Sequence, residues 1–111
     1  MKMKRSLLVA MGLVLSAPAL LAQENAATAG LANQLGCMFC HNAEVKLVGP
    51  AFKAVAEKYK DQADAVSVLT NKVKNGGAGV WGRVPMPAHS LVPDDQVKSL
   101  VGWVLKGAPA K

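Results

Sequence analysis

Apolar positions recur at helical spacing in four stretches of this chain, and no stretch alternates apolar and polar residues as a half-buried strand does. The clearest stripe lies between Pro93 and Lys106, where Val97, Leu100, Val101, Val104 and Leu105 follow i, i+3, i+4, i+7, i+8. Asp94 and Asp95 suit the positive end of that helix, and Gly107 stops it. From Pro50 to Lys60, Phe52, Val55, Ala56 and Tyr59 share one face, with the proline tolerated in the first turn and Asp61-Gln62 closing the run. A third helix is predicted from Asp64 to Lys74, burying Val66, Leu69 and Val73 and ending at Asn75-Gly76-Gly77. The first, from Asn25 to Gln34, offers Ala29, Ala32 and Leu35 and is broken by Gly36. The pattern predicts an all-α domain.

The pattern fails between Gly76 and Val92, which is rich in glycine and proline and has no helical period. A loop this long inside a compact domain is uncommon without a function, so it needs a surface to pack on.

The start of the chain reads differently again. Lys2, Lys4 and Arg5 precede a short apolar run, Leu7 to Leu15, and Pro18 is followed by small residues. That is the order of a Sec-type signal peptide. Cleavage after Ala19 or after Ala22 fits, and Ala22 is preferred because it leaves polar Gln23-Glu24-Asn25 first. The run is too short to cross a bilayer, which takes about 20 apolar residues. We therefore expect residues 1–22 to be removed and residues 23–111 to form one domain in the periplasm, with no membrane span in the mature form. The leader carries three of the charges behind the formal +6, leaving +3, with ten cationic side chains scattered among seven acidic ones. This balance is no argument for nucleic-acid binding. Lys46, Lys53 and Lys58 are candidates for a face that steers an acidic redox partner. A domain this small is near the limit at which a core suffices without a staple.

The staple is suggested by Cys37-Met38-Phe39-Cys40-His41, the C-x-x-C-H spacing of a c-type haem attachment site. Thiols three positions apart lie about one helical turn from each other and can bond to two vinyl groups on one porphyrin edge. His41 is then placed as a proximal ligand. Opposite it, elimination leaves few donors. Met1, Met3 and Met11 belong to the leader, Met38 lies inside the motif, and Met86 stands between Pro85 and Pro87 in the patternless loop. His89 is the rival donor. Other uses of the cysteines fit less well. A zinc site needs four ligands and this chain has two cysteines and two histidines, one of them abutting Cys40. A thioredoxin-like pair needs a strand before it. A plain disulfide leaves His41 and the Met86 loop without a role. Trp103, in an apolar stripe, reads as core. Trp81, between glycines beside Met86, suits packing and a haem-propionate contact equally, and Phe39, Phe52 and Tyr59 are expected in the core or the pocket wall.

Taken in order, CMFCH, VGPAFKAVAEKY, KNGGAGVWGRVPMP and a tryptophan-bearing last helix resemble the small bacterial class I cytochromes c, most nearly the cytochrome c-551/c-552 subgroup. The resemblance spans nearly all of residues 23–111. It implies about four helices wrapped around one covalently bound haem c, held by Cys37 and Cys40 with His41 and Met86 as axial ligands. It also implies that the Pro50 carbonyl accepts the Nδ1 proton of His41, that Trp81 points its indole N–H at a propionate, and that Lys72 stands where the family often has arginine near that propionate. One departure is visible: the family commonly has Pro-Asn after Met-Pro, and this chain has Ala88-His89. The function implied is a monomeric one-electron shuttle and not an enzyme. Its implied partners are redox proteins: a cytochrome bc1-type donor, and a terminal oxidase, nitrite reductase or peroxidase as acceptor. Two rivals are a gas- or peroxide-binding haem with Met86 displaced, and a permanent subunit of a larger reductase.

Overall fold

A computed structural model describes residues 2–4 and 6–111, so Met1 and Arg5 of the expected leader lie outside the described residues. Among the described residues four helices form: α1 (Ala17–Gln34), α2 (Phe52–Tyr59), α3 (Ala65–Asn75) and α4 (Asp94–Leu105), with a 3₁₀ turn at Cys37–Phe39. The described residues contain no strand, only an isolated antiparallel bridge between Gly77 and Met86. The class I cytochrome c architecture expected from the sequence is the one observed.

Helix α4 is the hub, packing against α3, α2 and α1. It contributes to two apolar clusters. One joins Val97 and Val101 to Val55, Tyr59, Ala65 and Leu69, and the other joins Leu100 and Trp103 to Ala32, Phe52 and Ala108. Its amphipathic stripe is why it can serve both. The helix ends in a Schellman turn: Gly107, at φ 92°, donates to the Val104 carbonyl at 2.8 Å, and Ala108 donates to that of Trp103 at 3.0 Å. Ala108 is thereby buried against Trp103, the apolar contact that accompanies this motif.

Three expectations are corrected. Helix α1 begins at Ala17 rather than Asn25, and runs unbroken across the Ala22–Gln23 position. Alanines and leucines favour helix there and Pro18 falls in the first turn, where its missing N–H costs nothing. Val66 is exposed, because α3 turns Ala65, Leu69 and Thr70 inward. Phe39 is 85% exposed and is neither core nor wall. In the 3₁₀ turn, residues three apart eclipse, and the Phe39 ring lies over Gly36 and away from the interior. Asp64 caps α3 without a side-chain bond to its backbone. Ahead of α1, residues 6–15 form no helix or strand, and Leu7, Leu8 and Leu13 stand at least 90% exposed.

Candidate functional site

The attachment turn follows from how α1 stops. Gly36 takes the left-handed conformation at φ 80° and donates to the Asn33 carbonyl, reversing the chain into the 3₁₀ turn. There Cys40 and His41 both donate backbone N–H bonds to the Cys37 carbonyl, at 3.3 and 3.0 Å. Cys37 and Cys40 are not joined to each other. Burial pushes the Cys37 thiol above its ordinary pKa, against a smaller opposing hydrogen bond from its own backbone. Among the described residues, no three His, Cys, Asp or Glu side chains come together as a metal site.

His41 is held on three sides. Its Nδ1 lies 2.8 Å from the Pro50 carbonyl oxygen. A carbonyl only accepts, so Nδ1 carries a proton, and in the neutral imidazole Nε2 is then the nitrogen with a lone pair to give. The ring stacks on Phe52, centroids 4.9 Å apart and 18° from parallel, and Phe52 meets Trp103 edge-on at 5.6 Å. Trp103 in turn donates its indole N–H to the Pro109 carbonyl at 2.8 Å. Behind the imidazole lies Gly49, where a Cβ would sit 2.5 Å from Cε1 and 2.9 Å from Nδ1.

Across from it, the loop from Gly76 to Val92 is shaped by a few backbone bonds. Gly77 and Met86 exchange both N–H bonds, at 2.8 and 3.1 Å, and the tip closes through Gly79 N–H to the Gly82 carbonyl. His89 donates its backbone N–H to Val73 in α3. The helical pattern stopped here because Gly76, Gly77, Gly79 and Gly82 all take positive φ.

These two walls enclose a cleft of about 280 Å³. All seven residues that the resemblance assigns to the haem line it, Cys37, Cys40, His41, Pro50, Lys72, Trp81 and Met86, and the rival donor His89 is not among the lining residues. Lys46 and Arg83 line it too, and sequence reasoning had given neither a place there. Arg83 lies between Trp81 and Met86 in a motif already singled out, the one signal that would have found it. No Asp or Glu is among the lining residues, most of which are apolar. An apolar cleft with paired thiols, a free imidazole nitrogen, a thioether and uncompensated cations fits a flat macrocycle that carries carboxylates. Elsewhere the lysines differ: Lys53 pairs with Glu44 at 2.8 Å, and the Lys58 ammonium stands 5.9 Å from the centre of the Trp81 ring.

Residues 26–108 match the cytochrome c family model, and the chain belongs to that family. It is similar to cytochrome c-552 of Hydrogenobacter thermophilus, 52% identical over 75 residues, covering 68% of this chain and 76% of that one. Cytochrome c-551 of Allochromatium vinosum is 49% identical over 75 residues, covering 68% and 80%. The crystal structure of Nitrosomonas europaea cytochrome c552 superposes with a TM-score of 0.69 at 46% identity, over 71% of this chain and 98% of that one. Within the family, then, this is a small class I cytochrome of the c-551/c-552 subgroup. It carries one covalently attached haem c and is an electron-transfer protein rather than an enzyme.

Proposed function

We propose that this protein is a freely diffusing one-electron shuttle between respiratory redox proteins in the periplasm, with His41 and Met86 as the two axial iron ligands. The observation that carries it is that His41, its Nδ1 turned to the Pro50 carbonyl, and Met86 line one and the same cleft. Haem c bound there supplies a one-electron ferrous/ferric couple, and His/Met ligation raises its potential.

The chain's own residues would do the rest. Cys37 and Cys40 tether one edge. The Pro50 carbonyl fixes the imidazole tautomer and raises its basicity through the Nδ1 bond. With His41 and Met86 both donating, the iron would have no open position for a substrate. Lys72 and Arg83 bring positive charge to the cleft, which suits carboxylate groups. Trp81 is 39% exposed, and its indole N–H suits the same purpose. Export is supported by the basic residues before the apolar run, and no helix among the described residues is long and apolar enough to cross a membrane.

The test is the visible spectrum of protein matured in the periplasm, oxidised and reduced, with and without carbon monoxide, beside that of Met86→Ala. The reading predicts a far-red sulfur-to-iron charge-transfer band that the variant loses, and a wild type indifferent to carbon monoxide. A wild type that lacks the band and binds carbon monoxide readily would instead support the gas- or peroxide-binding reading. The mass of the mature protein tests cleavage after Ala22.

A further inference from the structure

Lys74 lies in the last turn of α3, and unlike the other paired lysines it is largely withdrawn from solvent. Its side chain is 23% exposed, against 58% for Lys53 and 57% for Lys60. An ammonium has three protons to donate, and here three acceptors meet it: the Ser90 carbonyl at 3.2 Å, the Val92 carbonyl at 2.6 Å and Asp94 Oδ1 at 2.9 Å. The two carbonyls belong to the descending arm of the Met86 loop. The same stretch of chain grips that loop at two further points, Val73 taking the N–H of His89 and Gly77 exchanging bonds with Met86 itself.

From this arrangement we infer that Lys74 is a positioning residue for the Met86 thioether, holding the loop's descending arm so that the sulfur stays aimed into the cleft. The inference rests on the reading of Met86 as an axial ligand. A merely structural role for Lys74 would be a pin between α3 and α4 through Asp94. That pin is weak, because the Asp94 side chain is 71% exposed and exposed ion pairs contribute little. The two carbonyl bonds are different in kind. They are charge-assisted, one of them is partly buried, and they end on a segment with no helix of its own to keep it in place.

The experiment compares ferric wild type, Lys74→Met, Lys74→Arg and Asp94→Asn, following the far-red sulfur-to-iron band and, separately, helix unfolding by circular dichroism as temperature rises. Lys74→Met should raise the fraction lacking the band at 25 °C by at least tenfold, with the band lost well before the helices melt. Asp94→Asn should stay within twofold of wild type, and Lys74→Arg should recover part of the loss. Wild-type behaviour in Lys74→Met, or equal effects of Lys74→Met and Asp94→Asn, overturns the inference while leaving Met86 ligation intact. A wild type without the band overturns both. If Lys74→Met does not mature, hydrogen exchange on wild type decides: the Met86 and His89 amides should exchange at least tenfold more slowly than that of Gly79 at the loop tip, and equal rates would contradict the clamp.

Discussion

The two walls of the cleft are built on opposite plans. The His41 wall is backed by packed side chains, Phe52, Trp103 and the α4 core behind them, and its imidazole is oriented by the bond from Nδ1 to the Pro50 carbonyl. The Met86 wall is a loop, and Met86 is held there by backbone hydrogen bonds. Each has a glycine at its back, Gly49 behind the imidazole and Gly76 behind the Met86 carbonyl, and there the difference becomes measurable. A wall held by packing resists local change with the whole core. A wall held by a few hydrogen bonds can open while the core stays folded.

The largest effect should come from Gly76→Ala. A Cβ at position 76 would meet the Met86 carbonyl oxygen at 2.5 Å and the Ala88 nitrogen at 2.8 Å, and φ is +70°. Neither backbone contact can swing aside, and the left-handed conformation adds its own penalty, so the cost is more than about 2 kcal/mol. Because it falls on the Met86 wall, the far-red band should be lost while the helical circular dichroism persists at room temperature. Gly49→Ala is the matching change on the other wall. It pushes the imidazole off the Pro50 bond at a cost of about 1–3 kcal/mol. Paramagnetic NMR of the His41 ring should show the ring reoriented, with the Met86 methyl signal retained.

Trp103→Phe sharpens the contrast further. It removes the indole bond to Pro109 and leaves a small void beside Phe52, which should lower global stability by about 1–3 kcal/mol in denaturant titrations. The far-red band should not change below the unfolding transition.

The smallest effect is electrostatic. The Asp94 carboxyl is held below its ordinary pKa by the Lys74 hydrogen bond, and then by that ammonium's charge. A depressed carboxylate stabilises the fold above the unfolded value, about 3.9, and that contribution is lost as pH falls through the folded value. Asp94→Asn should therefore flatten the acid limb of the melting-temperature profile slightly below about pH 4, and added salt should shrink the difference.

The walls also differ in how much of them could be read in advance. Cys37, Cys40 and His41 are neighbours in sequence, so local spacing carried their chemistry, and the α4 stripe showed which face would form the core. Met86 emerged by elimination, and the loop around it announced itself by having no period. Nothing in a linear pattern says that Gly76 backs onto Met86, that Lys74 reaches Ser90 and Val92, or that Lys46 and Arg83 face the cleft. Those are contacts between segments far apart in the chain. The errors have local causes of the same kind. Val66 fitted a helical stripe that the fold rotates by one position, and Phe39 sits in a 3₁₀ turn whose tighter period sends it outward.

As proposed, His41 and Met86 act as two fixed donors that make the iron a reversible one-electron couple. Voltammetry of the holoprotein and of Met86→Ala tests it most directly. Wild type should give one reversible one-electron wave, unchanged by carbon monoxide, and the variant a markedly lower potential. Equal potentials for the two proteins, or a wild-type wave that shifts under carbon monoxide, would contradict it.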